Sequence, residues 1–182
     1  MRYQLKVTLT EEDYLTFNCF QNLESTYGRK TVRRFQIALA VLGAVYTVFM
    51  LMLEGFFFFL DSAGLSVLGI IVIMILLFKK FMAWTVKMQV KQLKKAGKLP
   101  YNKEANLEFY EDKIVAVSEN SQAELNYSGL ERLCIVKNRY IYAYNSSLSA
   151  IILPIPQIRQ QVNEGEFLQF LTEKCPNVEH YQ

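Results

Sequence analysis

Histidine occurs once in the 182 residues, as His180, and the three cysteines, Cys19, Cys134 and Cys175, show no C-x-x-C spacing. A lone histidine in a polar stretch reads as solvated, which argues against histidine acid–base chemistry and histidine-ligated metal. Three scattered cysteines cannot make a disulfide scaffold and read as reduced, buried thiols. Charge is also scarce: 20% of the residues carry one, against roughly 25% in ordinary globular domains. Hydrophobic residues at 52% and aromatics at 14% exclude intrinsic disorder, which needs little apolar surface and high net charge. No G-x-S-x-G, Walker A or G-x-G-x-x-G pattern occurs, so no nucleophile elbow or phosphate-cradling loop is legible. The expectation is a protein that is not an enzyme and holds no cofactor or metal.

What is abundant is apolar sequence flanked by base. The formal net charge of +3 hides a split. Residues 25–103 hold twelve Lys/Arg and two acids, Glu54 and Asp61, a local balance of +10, while the rest of the chain balances at −7. Within the basic section lie two uncharged runs, residues 35–53 and residues 62–78. As a helix the first is about 28 Å long, enough to cross a hydrocarbon core of about 30 Å. The second is nearer the lower limit, but Lys79 and Lys80 can snorkel and Phe81, Met82 and Trp84 can extend it at the interface. Neither run alternates as a soluble amphipathic helix does. A buried hairpin in a soluble core is the alternative, and the flanks are too small to cover it. A first run starting at residue 35 also begins too late for a secretory signal of about 15–30 residues.

Orientation follows from lysine and arginine. Arg29, Lys30, Arg33 and Arg34 precede the first run; Lys79, Lys80, Lys87, Lys91, Lys94, Lys95 and Lys98 follow the second; residues 54–61 between them hold none. The positive-inside bias places both termini in the cytoplasm and the loop outside. In that loop Phe56, Phe57, Phe58 and Phe59 suit an aromatic belt, and Asp61 suits an N-cap of the second span. A proton or ion site built on Glu54 and Asp61 within the membrane is the other reading.

Flanking the runs, Tyr3, Leu5, Val7 and Leu9 alternate with polar residues, a half-buried strand over residues 3–9. Thr10 with Glu11, Glu12 and Asp13 opens a helix that fades near Tyr27 and Gly28. The second span continues as a helix to about Ala96, with Lys80, Lys87, Lys91, Lys94, Lys95 and Lys98 on one side and Met82, Val86, Val90 and Leu93 on the other; Gly97 and Pro100 end it. From Asn106 onward six short strands alternate with turns, an antiparallel meander. Pro154 and Pro156 end the sheet, and a closing helix over residues 165–174 carries Phe167, Phe170 and Leu171. This predicts a small bent sheet or partial barrel plugged by the helix, to which strand 3–9 can add a seventh strand, as in pleckstrin-homology-like domains.

Several stretches carry a family resemblance: KVTLTEEDYLTFN at residues 6–18, LEFYED at 107–112, LNYSGL at 125–130, YIY at 140–142 and IILP at 151–154. Together with the two spans they resemble the YcxB-like family of small bacterial membrane proteins over nearly the whole chain. Tyr127 stands where that family often has tryptophan. The resemblance implies two spans and a β-rich cytoplasmic domain, and it implies no particular activity.

The sequence thus reads as an α+β membrane protein with a two-helix transmembrane hairpin and a small antiparallel, PH-like cytoplasmic domain closed by a C-terminal helix. Its parts are a cytoplasmic strand and helix (1–28), transmembrane helix 1 (35–53), an external loop (54–61), transmembrane helix 2 with an interfacial extension (62–84), a basic juxtamembrane helix (85–98) and the β-rich domain (101–182). The expected role is a multi-pass, membrane-anchored interaction or regulatory module. The candidate contacts are Arg29, Lys30, Arg33, Arg34, Lys79, Lys80, Lys87, Lys91, Lys94 and Lys95, acting on anionic lipid headgroups or setting topology. A protein partner or self-association is also expected, and nucleic acid is not, because no reading motif accompanies the lysines. The alternative is an oligomeric transport or channel component built from the hairpin, for which Gln36, Tyr46, Thr47 and Ser66 offer little polar lining.

Overall fold

The computed structural model describes residues 1–55, 57, 62–97, 104–118, 121–146 and 149–182. Asp61, Lys98, Pro100 and most of the 54–61 loop, on which several expectations fell, lie outside the described residues. The chain divides into two compact units. One comprises residues 1–14 with 97–182, the other residues 15–96.

The first unit holds two four-stranded sheets. In one, β1 (Tyr3–Thr8), β2 (Glu104–Phe109), β3 (Lys113–Ser118) and β4 (Ser121–Asn126) lie in chain order, all antiparallel. Strand 3–9 therefore does join the sheet, with Tyr3 opposite Phe109 and Thr8 opposite Glu104. The alternation that marked it decides its faces: Leu5 and Val7 are buried, Lys6 and Thr8 exposed. The other sheet has the order β7 (Ala150–Pro154), β6 (Tyr140–Tyr144), β5 (Arg132–Val136), β8 (Val178–Tyr181). All six strands expected of the meander are present, yet the sequence reading is corrected at three points. His180 lies in a strand, β8, which pairs parallel with β5. The eight strands form two sheets where one bent sheet was expected. Pro156 does not only end a strand; it sits in the first turn of a short helix, α4 (Ile155–Arg159), where its missing N–H costs nothing.

One core joins both sheets. Leu5, Leu107, Phe109 and Ile114 meet Leu133, Ile141 and Leu153, with Phe167, Phe170 and Leu171 of helix α5 (Glu164–Lys174) among them. Phe167 sits edge-on to Phe109 and Tyr3, at ring separations of 5.0 and 5.3 Å, the geometry the aromatic quadrupole favours. Asn163 starts α5 by accepting from the N–H groups of Gly165 and Glu166.

The outer edge of β1 is closed by side chains. Gln161 accepts from the Lys6 N–H and donates to the Lys6 carbonyl, both at 2.8 Å. Gln157 does the same for Thr8, at 3.0 and 2.9 Å. Each carboxamide thus mimics a peptide group of a neighbouring strand, and the two cover alternate residues of an edge that is otherwise open to pairing. Changing both glutamines to alanine is expected to cost about 1–2 kcal/mol, because water replaces part of each exposed hydrogen bond. The melting temperature should fall by several degrees and concentration-dependent association should appear in light scattering. A double variant as stable and as monodisperse as the parent would show that the cap has no such role.

The second unit contains the two long helices, α2 (Thr26–Glu54) and α3 (Ser62–Lys95). Helix α1 (Glu11–Cys19) leads toward it and continues as a single wide turn, Phe20–Glu24. The expected fading at Tyr27 and Gly28 is corrected: the break falls at Ser25, whose extended backbone (ψ 158°) starts α2. The Ser25 hydroxyl accepts from the Gly28 N–H at 3.0 Å and donates to the Gln21 carbonyl at 2.7 Å. Gly28 is a close-approach residue, since a Cβ there would lie 2.6 Å from the Gln21 carbonyl oxygen.

Both helices are long and apolar enough to cross a membrane. Their inward positions run Val32, Gln36, Leu39, Gly43, Tyr46, Met50 on α2 and Gly64, Leu68, Ile71, Ile75, Phe78, Met82 on α3. That spacing of three and four is a heptad seam. Small residues within it let the backbones approach: at Gly43 a Cβ would meet Ile71 Cγ2 at 3.3 Å. The outward positions are apolar and exposed, with Met52 at 82% and Leu76 at 73%.

Candidate functional site

All ten candidate basic residues are exposed. Helix packing decides which come together. Phe35 of α2 stacks on Phe78 of α3 with ring centroids 4.7 Å apart, and the Gln36 carboxamide donates to the Ile75 carbonyl at 3.0 Å. Arg33 and Arg34 immediately precede the first of these residues, and Lys79 and Lys80 immediately follow the second, so the four share one level of the hairpin. Arg29 and Lys30 lie one turn earlier on α2. Lys87, Lys91, Lys94 and Lys95 extend along α3, with Lys95 about 22 Å beyond Lys80 at the helical rise. Val86 and Val90 are buried as expected, but Leu93, placed with them by periodicity, is 43% exposed.

Three polar side chains of the hairpin bond to its own backbone. The Thr47 hydroxyl donates to the Gly43 carbonyl at 2.8 Å and the Ser66 hydroxyl to the Ala63 carbonyl at 2.7 Å. With Gln36 bonded to Ile75, these three groups satisfy helix carbonyls as polar groups in apolar surroundings must.

In the β unit, acid and phenol fix the start of α1. Asp13 accepts from the Thr10 N–H and hydroxyl, each at 2.8 Å, and from the Tyr140 hydroxyl at 2.8 Å. The Thr10 hydroxyl in turn accepts from the Asp13 N–H, the reciprocal arrangement of a capping box. Around Cys134 lie Arg132, Tyr144 and Glu179, and the Arg132 guanidinium stacks 4.3 Å over the Tyr144 ring, a cation–π contact. Burial pushes the Cys134 thiol up to about 12, and the Glu179 carboxylate adds to the shift. A thiol held protonated is a poor nucleophile. Burial raises the half-buried Cys19 thiol as well, so alkylation at neutral pH is expected to be slow at Cys19 and to spare the buried Cys134 and Cys175 until the chain is unfolded. Rapid modification of Cys134 in the native chain, read by mass spectrometry of its peptide, would contradict this placement. Among the described residues no group of three or more His, Cys, Asp or Glu is placed to hold a metal ion.

The basic residues are legible by charge, and the seam that aligns them by small residues. The signal was present in Gly43 and Gly64, whose heptad spacing to Leu39, Leu68 and Ile71 was readable. No family model matches the chain, and neither the curated proteins nor the solved structures contain a match.

Proposed function

We propose that the chain is an integral membrane protein in which α2 and α3 cross the bilayer as a hairpin and the β unit is an interaction module at the cytoplasmic face. The observation that carries this reading is the pairing of β1 with β2. One strand precedes the hairpin and the other follows it, so a hairpin that enters a bilayer must return to the side it left. The exposed apolar surface of both helices needs a nonpolar solvent, and Arg33, Arg34, Lys79 and Lys80 mark the end that stays inside. A four-stranded sheet, a second sheet and a helix that fills the core support the likeness to PH-like domains, with β8 as an addition. The resemblance to the YcxB-like family agrees with this arrangement. The module would recruit or regulate a protein partner beside anionic headgroups, with no catalytic step of its own. A pore of several hairpins gains no support, because the polar groups it would need are bonded to helix carbonyls.

The test is topology. A Phe57→Cys variant should react with a membrane-impermeant maleimide in intact cells, since Phe57 is 76% exposed. The native Cys19 should react only after permeabilisation. Labelling of Cys19 in intact cells, with the thiol introduced at position 57 protected, would reverse the orientation.

A further inference from the structure

On the hairpin, at the level of its basic residues, lies a groove of about 780 Å³, within the roughly 300–1,000 Å³ of ligand pockets. All its lining residues belong to the second unit. Phe35, Leu77, Phe81 and Trp84 contribute aromatic and aliphatic wall, and Asn22 and Lys80 contribute polar atoms. None of the lining residues is acidic. Lys80 is the basic residue of that lining. Lysine suits such a mouth because its methylene stem follows an apolar wall while the ammonium stays outside. The groove is therefore almost wholly apolar, with one lysine and no acid on its lining, the complement of an apolar chain that carries an anion.

We propose that this groove is a binding site for one anionic phospholipid, with an acyl chain along Phe35, Leu77 and Phe81 and the phosphate against Lys80. The inference rests on the bilayer reading above and deepens it: the hairpin selects a headgroup as well as crossing the membrane. A general apolar helix surface would take any lipid tail, whereas a groove whose lining holds a lysine and no acid distinguishes headgroups.

The experiment uses the full chain purified in mild detergent, incubated with phosphatidylglycerol or phosphatidylcholine of identical acyl chains. Retained lipid is counted by native mass spectrometry. The parent should retain phosphatidylglycerol severalfold more than phosphatidylcholine. Lys80→Gln should lower that preference about fivefold, the equivalent of about 1 kcal/mol for one basic residue near a charged membrane surface. Thr31→Trp, which fills the groove from α2, should lower retention of both lipids, while Lys137→Gln, in the turn between β5 and β6 and outside the groove's lining, should leave the preference intact. Circular dichroism and melting of each variant confirm that the fold is kept. Equal retention of the two lipids by the parent, an unchanged preference in Lys80→Gln, or a groove occupied by a second copy of the chain in crosslinking would overturn the proposal. Alkaline extraction of membranes separates the two levels. Release of the chain at high pH overturns the bilayer reading itself, whereas a chain that stays in the membrane but is blind to headgroup overturns only the lipid site.

Discussion

Replacing Phe167 by alanine is expected to destabilise the β unit by about 3–5 kcal/mol, the range for removing a fully buried aromatic from a core. Phe167 has no exposed surface and is the residue through which α5 touches both Tyr3 and Phe109. Its loss leaves a cavity bounded by β1 and β2, whose positions are held by the ladder and cannot collapse inward freely. Natural domains have only about 5–15 kcal/mol in reserve, so the variant should unfold over most of the denaturant range where the parent is folded. Gln169→Ala, on the exposed face of the same helix, should change stability by less than about 0.5 kcal/mol. Near-ultraviolet circular dichroism in urea separates these outcomes. A cost below about 1 kcal/mol for Phe167→Ala would mean that α5 does not fill the core.

The second large effect is expected at a glycine. A methyl group on Gly28 would stand 2.6 Å from the carbonyl oxygen of Gln21 and from the carbonyl carbon of Asn22. Backbone cannot swing away as a side chain end can, so Gly28→Ala must open the junction between the Phe20–Glu24 turn and α2. The cost should be about 1–3 kcal/mol, as for overpacked sites, and the Ser25 bonds to Gly28 and Gln21 should weaken with it. Gly69 is the contrast, because nothing lies within 4 Å of a Cβ there. Gly69→Ala removes only the flexibility of glycine, and should be neutral or stabilising by up to about 1 kcal/mol. The two substitutions therefore differ in sign, which thermal melts in one detergent can read directly. Equal behaviour of the two would remove the steric account of Gly28.

How far the fold was readable from the residues depended on whether burial was one-sided. The alternation at Tyr3, Leu5 and Val7 named β1 and its inner face, and unbroken apolar runs named α2 and α3. Phe167, Phe170 and Leu171 named the buried stripe of α5, and all three are buried. Reading failed where tertiary context overrode local pattern. Tyr140, Tyr142 and Tyr144 are buried although Ile141 and Ala143 occupy the core face between them, so β6 carries no polar–apolar alternation. Strand β8 holds Glu179 and His180, which look like a solvated segment; what makes it a strand is β5, some 45 residues earlier. Gly28 was read as a helix stop because glycine most often serves there, whereas its role is set by a contact with Gln21 and Asn22. Of the candidate site, the basic residues were legible by charge alone. Their grouping into one level and their relation to the groove required the pairing of Phe35 with Phe78 and of Gln36 with Ile75.

The pairing of β1 with β2 also sets a timetable. Tyr3 is synthesised about a hundred residues before its partner, Phe109. At about 5–20 residues per second, β1 waits roughly 5–20 s without a neighbour while both long helices are synthesised. The glutamines that later seal its other edge, Gln157 and Gln161, arrive later still, and Phe167, which packs on Tyr3, arrives after them. Strand β1 is thus made before either long helix and is paired only after both. Because its two strands flank both long helices in the chain, the β1–β2 ladder cannot close until the hairpin between them has been synthesised.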